Sequence, residues 1–164
     1  MTRLASLAIL LLFSLTAYPQ ETVLDEMDSS VNWSIYKAEG VGIDTSTVAG
    51  QFGKCLKIDF DFVTGGGYGG VAARFPIEYG DNYRFTFWVK GNAPDNNFEF
   101  KITDDEAENV WWVNRQNFHF PEEWQQITVR KRHLDFAWGP TEDRTLHKSG
   151  RLEFIIASSN GGKG

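Results

Sequence analysis

An antiparallel β-sandwich is the fold this sequence predicts, and three observations carry it. After residue 20, apolar and polar residues alternate with period two almost throughout. Helical periodicity is nearly absent. Short turn signals rich in Gly, Asp and Asn separate the alternating runs at even spacing, the pattern of a sandwich of many short strands.

The elements follow in order. Residues 22–27, 33–38 and 41–47 are short candidate strands. In "CLKIDFDF", Leu56, Ile58, Phe60 and Phe62 share one face, and Lys57, Asp59 and Asp61 the other. "TGGGYGG" is a loop, and residues 70–75 form a strand after it. In "NYRFTFWVKG", Tyr83, Phe85, Phe87 and Val89 alternate with Arg84, Thr86, Trp88 and Lys90. "GNAPDNN" is a turn. In "NFEFKITD", Phe98, Phe100 and Ile102 alternate with Glu99, Lys101 and Thr103. "DDEAE" is a polar turn before the strand at 109–115. Strands at 125–131 and 151–157 complete the set, and "DFAWGPTEDR" between them reads as a loop. The final "RLEFIIASSNGGKG" runs a strand into a Gly-rich turn. A sandwich ending there leaves a neighbouring edge unpaired, so one more strand is expected after Gly164.

Residues 1–20 read as a secretory signal peptide. Arg3 gives a positive start, residues 4–15 form an apolar run short for a bilayer, and small residues follow. The expected domain is therefore 21–164, secreted or periplasmic, with no membrane association once the leader is cleaved. Without the leader, 15 basic residues face 22 acidic ones, a net charge of −7. That balance argues against nucleic acid and anionic membranes as partners. Cys55 is the single cysteine, so no internal disulfide forms, and the core, or a metal ion, must supply the stability.

Enzyme signatures are missing from the sequence. His119, His133 and His147 have no metal-ligand spacing, and no G-x-S-x-G elbow occurs. "VAGQFGKC" departs from a phosphate-binding loop at Val48 and Cys55. A glycosidase needs two carboxylates facing across a cleft, and no spacing among the many acids singles out such a pair. Solvated strand faces and turns account for them.

The aromatic residues carry the functional signal. They make up 15% of the chain and include six tryptophans. The phenylalanines mostly fall on the apolar faces, but the tryptophans do not. Trp88 aligns with Arg84, Thr86 and Lys90. In "NVWWVNRQNF", Trp111 shares a face with Val113 and Arg115, and Trp112 with Val110 and Asn114. Trp138 sits in the loop-like stretch. A flat ring beside amide, guanidinium or carboxylate groups suits a sugar: the ring stacks on its C–H face and the polar groups take its hydroxyls. Packing in a core, or under a neighbouring loop, is the ordinary use of any one tryptophan. One ring of the Trp111–Trp112 pair should anchor the core and the other face a ligand or a partner domain. The parity is ambiguous, because Val110 and Val113 lie on opposite faces. The candidate ligand-binding residues are Trp88, Trp111, Trp112, Asn114, Arg115, Arg84, Glu99 and Asp59. Arg84, Trp88, Glu99, Lys101 and Asp59 become neighbours if their strands pair on one polar face.

The order of "VLDEMDSSVNWSIYKAEG", "GKCLKIDFDFVTGGGYGGVAARFP", "YRFTFWVKGNAPDNNFEFKITD" and "EEWQQITV" resembles carbohydrate-binding modules of the galactose-binding-like fold. The nearest groups are the family 11 modules and the complex I intermediate-associated-like domains. The resemblance spans nearly all of residues 22–164. It implies a jelly roll and a non-catalytic role in holding a polysaccharide or oligosaccharide for a secreted bacterial enzyme. That enzyme's domains would lie downstream in the same chain. It also implies a last strand for which "GGKG" is the beginning, and a structural calcium ion at Asp25 and Asp28 with an acid of that last strand. The alternative function is a spacer that docks on a downstream catalytic domain through its tryptophans. A glycoside hydrolase domain ranks last.

Overall fold

The structure is a computed structural model, and it describes residues 21–62 and 66–164. The expected leader lies outside the described residues. Eleven strands are present among them: β1 (Ser34–Lys37), β2 (Gly42–Ala49), β3 (Lys54–Phe62), β4 (Tyr68–Glu78), β5 (Arg84–Val89), β6 (Asn96–Thr103), β7 (Val110–Phe118), β8 (Gln125–Arg130), β9 (Asp135–Trp138), β10 (Lys148–Ala157) and β11 (Gly162–Lys163).

One layer is a six-stranded antiparallel sheet in the order β1-β4-β10-β6-β7-β9. The other consists of β11-β3-β2 and the ribbon β5-β8. Period-two alternation gives each strand one apolar face. Phe98, Phe100 and Ile102 of β6, Leu152 and Ile156 of β10 and Trp111 of β7 meet Ile43, Phe60, Phe62, Phe85, Ile127 and Val129 from the opposite layer in one core. Phe154 of β10 touches Phe87, Phe100 and Trp33, with ring centroids 4.9, 5.3 and 5.6 Å away. β4 and β10 approach closely enough that a Cβ on Gly70 would lie 2.0 Å from the Phe154 carbonyl oxygen.

Three elements differ from expectation. Residues 22–27 form no strand. Asp25 Oδ1 accepts the Met27 N–H at 2.6 Å, and Met27 has φ 57°, so an Asx-type turn interrupts the extended chain. β9 arises within the stretch read as a loop, because Phe136 packs edge-on against Trp111 beside β7. β4 runs through Pro76 to Glu78. The proline is tolerated because β1 pairs β4 only as far as Ala72, and the β10 register breaks between Ser149 and Arg151. β11 contributes two residues beside β3, and Gly164 exchanges both backbone hydrogen bonds with Phe60.

Candidate functional site

The outer face of the six-stranded sheet is built in rows, because residues in register across antiparallel strands point the same way. One row reads Arg74, Arg151, Thr103, Val110, Trp138. The next reads Ala72, Glu153, Lys101, Trp112. A third reads Tyr36, Gly70, Ile155, Glu99, Asn114, and a fourth begins Tyr68, Ala157. Six strands that are far apart in sequence thus bring one polar and aromatic surface together.

This surface is a groove of about 410 Å³, with Tyr36 and Tyr68 at one end and Val110 and Trp138 at the other. Two ion pairs form its floor. Lys101 Nζ lies 2.7 Å from Glu99 Oε2, with the side chains 11% and 7% exposed. Arg151 Nη2 lies 2.6 Å from Glu153 Oε1. Charges this far from water persist only with such partners. Lys101 Nζ also stands 5.7 Å from the Tyr68 ring, 5.7 Å from Trp112 and 5.5 Å from Trp138, and Arg151 stacks over Tyr36 at 5.4 Å. Trp112 and Trp138 meet edge-on at 5.5 Å. The Tyr36 phenol is held above its ordinary pKa, first by its hydrogen bond with Tyr68 and then by burial.

The floor carries unused hydrogen-bonding capacity. Asn114 Oδ1, Arg151 Nε and Glu153 Oε1 are buried without a hydrogen-bond partner. The last is paired with Arg151 by charge but not in hydrogen-bond geometry. They make up three of the four such side-chain atoms among the described residues, the fourth being Trp33 Nε1. Buried polar atoms are normally satisfied. Two of these atoms, Asn114 Oδ1 and Arg151 Nε, are left without a polar partner beneath this sheet face.

Of the residues expected from sequence, Glu99 lines this groove, and Trp112 and Asn114 lie beside it on the same sheet face, with Asn114 Nδ2 3.4 Å from Glu99 Oε1. Trp111 does not. It is 6% exposed in the core, and its Nε1–H donates to the Arg144 carbonyl at 2.7 Å. Arg115 shares the Trp111 face and stacks over Phe118 at 5.7 Å, because its partner across β6 is the inward Phe98. Arg84, Trp88 and Asp59 lie on the outer face of the opposite layer. There Arg84 pairs with Glu21 at 2.8 Å, Trp88 meets Phe52 edge-on at 5.7 Å and Asp59 pairs with Lys57 at 2.5 Å. The expected neighbourhood of Arg84, Trp88 and Asp59 with Glu99 and Lys101 therefore does not form, since the sandwich core separates them. Tyr36, Tyr68, Arg151 and Glu153 were not singled out from sequence. Each reads locally as ordinary strand alternation, and only the pairing of β1, β4 and β10 assembles them.

Asp25 and Asp28 do not by themselves make the expected calcium site. Calcium takes six to eight oxygen ligands. One Asp25 oxygen is engaged by the Met27 amide and Asp28 is exposed. No group of three or more His, Cys, Asp or Glu side chains able to hold a metal occurs among the described residues.

With this geometry in place, the similarity to solved structures is informative. The family 11 carbohydrate-binding module of a cellulosomal cellulase of Clostridium thermocellum superposes with a TM-score of 0.70 at 19% identity, covering 90% of this chain and 91% of that one. The chain has the fold of the family 11 carbohydrate-binding modules. A family 11 module from Clostridium thermocellum in complex with a β-1,3-1,4-mixed-linked tetrasaccharide gives 0.67 at 20% identity, covering 85% of this chain and 88% of that one. In sequence, endoglucanase H of Acetivibrio thermocellus is 23% identical over 156 residues, which is 87% of this chain. The chain spans 17% of that endoglucanase's length. No protein-family model matches the chain.

Proposed function

We propose that the chain is a non-catalytic carbohydrate-binding module and that the groove on the six-stranded sheet holds a glycan chain. One observation carries this reading: three exposed rings, Tyr36, Tyr68 and Trp138, line a groove around two ion pairs, with Trp112 beside them on the same sheet face. Tyr36, Tyr68, Trp112 and Trp138 offer flat faces for the C–H surfaces of pyranoses. The charged groups of Glu99, Lys101, Arg151 and Glu153, which line the groove, take the hydroxyls that a stacked sugar directs at the floor. The balance of two carboxylates with two cations suits a neutral chain. Each carboxylate is tied to a cation two residues away on its own strand, which leaves no free pair facing across a cleft for glycoside hydrolysis.

The family 11 fold and the fraction of the endoglucanase that is matched support an accessory role. The module would hold substrate for a secreted glycan-degrading enzyme in the same chain. The paired backbone bonds of Gly164 with Phe60 support a further part of the reading, a strand that continues β11 alongside β3. A second function is favoured by the opposite face. Phe52 and Trp88 are exposed to 74% and 39% and touch each other there, as a docking surface for a neighbouring domain would require.

The test is affinity electrophoresis against a panel of polysaccharides. Retardation by a β-glucan that is lost in Trp112→Ala and Trp138→Ala and kept in Trp88→Ala is the expected result. A folded protein retarded by no glycan leaves the docking module as the surviving reading.

A further inference from the structure

The groove has a side branch. A second cavity of about 250 Å³ opens below the Arg74–Arg151–Thr103 row, and shares Arg151, Thr103 and Ala107 with the groove. Its remaining walls are Arg74, Asp104, Asp105 and Gly150. The row order fixes its direction. The groove runs diagonally from Tyr36 and Tyr68, on β1 and β4, to Trp138 on β9. The second cavity lies off that line, at the β4 side of the lowest row.

The branch is a built feature. It sits at the β10 register break between Ser149 and Arg151, where the β6–β7 turn folds onto Gly150. A Cβ on Gly150 would lie 2.5 Å from Asp105 Cα and 2.7 Å from the Asp104 carbonyl oxygen. Asp104 fixes that turn by accepting from the Glu108 and Asn109 amides at 2.9 and 3.2 Å. Lys148 holds Asp105 at 2.9 Å, and this hydrogen bond keeps the Asp105 carboxyl below its ordinary pKa. Arg74, by contrast, reaches Asp105 only at 3.6 Å, and its side chain is 79% exposed. Its guanidinium lines the cavity with only this loose contact to hold it, and Arg151 stands at the junction of cavity and groove.

We propose that this cavity is a branch subsite: it accepts a single sugar unit attached to the side of the glycan chain that lies in the groove. A linear chain along the diagonal leaves the cavity empty. A side unit carried by the backbone sugar above Arg151 and Thr103 enters it and meets the donors of Arg74. The inference rests on the groove being the glycan site, and it adds the ligand class: a branched, neutral polysaccharide.

Calorimetry with two probes of equal backbone length tests it, cellotetraose and the xylose-branched xyloglucan heptasaccharide built on the same tetraose. The branched probe is expected to bind about fivefold or more tighter. Arg74→Ala should remove that difference while leaving cellotetraose within about twofold, and Arg74→Lys should restore part of it. Arg74 is exposed, so an unchanged melting temperature confirms that the variants fold. Equal binding of the two probes, unmoved by Arg74→Ala, overturns the branch subsite and leaves the glycan groove standing. Binding of neither probe overturns the subsite together with the groove reading for β-glucans.

Discussion

Trp111 and Trp112 are adjacent and do opposite work. Trp111 fills the core and spends its N–H on Arg144, and Trp112 stands on the outer face with Lys101 Nζ 5.7 Å from its ring. Trp111→Ala should cost about 3–5 kcal/mol of stability by leaving a cavity, read as a lower denaturant midpoint. Trp112→Ala should leave that midpoint nearly unchanged and weaken glycan binding about tenfold, the loss of one stacked ring. A residue-scale prediction of another kind concerns Tyr79. Burial pushes its phenol up to about 12, against the opposing effect of its hydrogen bond to Ser149. The unfolded chain ionises near 10 and the folded one near 12. The resulting stability is therefore full below pH 10 and is lost as pH rises through 12, about 2–3 kcal/mol in all. Tyr79→Phe should flatten the alkaline part of the pH–stability profile, measured by urea unfolding between pH 9 and 12.

At the scale of elements, the strands were largely legible, because a half-buried strand must alternate and the sequence shows it from Leu56 to Phe62 and from Phe98 to Ile102. What local pattern could not show is pairing. β10 lies between β4 and β6, and β9 lies beside β7, partners distant in sequence whose adjacency no alternation encodes. For that reason the outward positions of Trp112, Asn114 and Glu99 could be read within their own strands, while the presence of Tyr36, Tyr68, Arg151 and Glu153 on the same face could not. For the same reason Arg84, Trp88 and Asp59 were placed on the wrong side of the sandwich. The β7 parity also defeated sequence reading. Val110 is buried on the outer face under the groove and Val113 on the inner face, so both valines are apolar for different reasons. The close approach of β4 and β10 gives a direct test of the pairing. Gly70→Ala forces its methyl against the β10 backbone. It should cost about 1–3 kcal/mol, seen as a lower melting temperature, whereas Gly80→Ala, where the space is open, should cost far less.

At the scale of the whole molecule, the sandwich separates two surfaces by its core. One is the groove on the six-stranded sheet, with its rings and paired charges. The other carries the exposed Phe52–Trp88 pair. The surfaces that the two proposed readings assign to a glycan and to a neighbouring domain therefore do not overlap. The central claim is that the six-stranded sheet, and not the opposite layer, meets the sugar. The most direct measurement is to follow the six indole N–H signals by heteronuclear NMR while a mixed-linked β-glucan tetrasaccharide is added. The account predicts that the Trp112 and Trp138 signals move with saturation, while those of Trp88 and the buried Trp111 stay in place. Movement of Trp88 with Trp112 and Trp138 unmoved would contradict it.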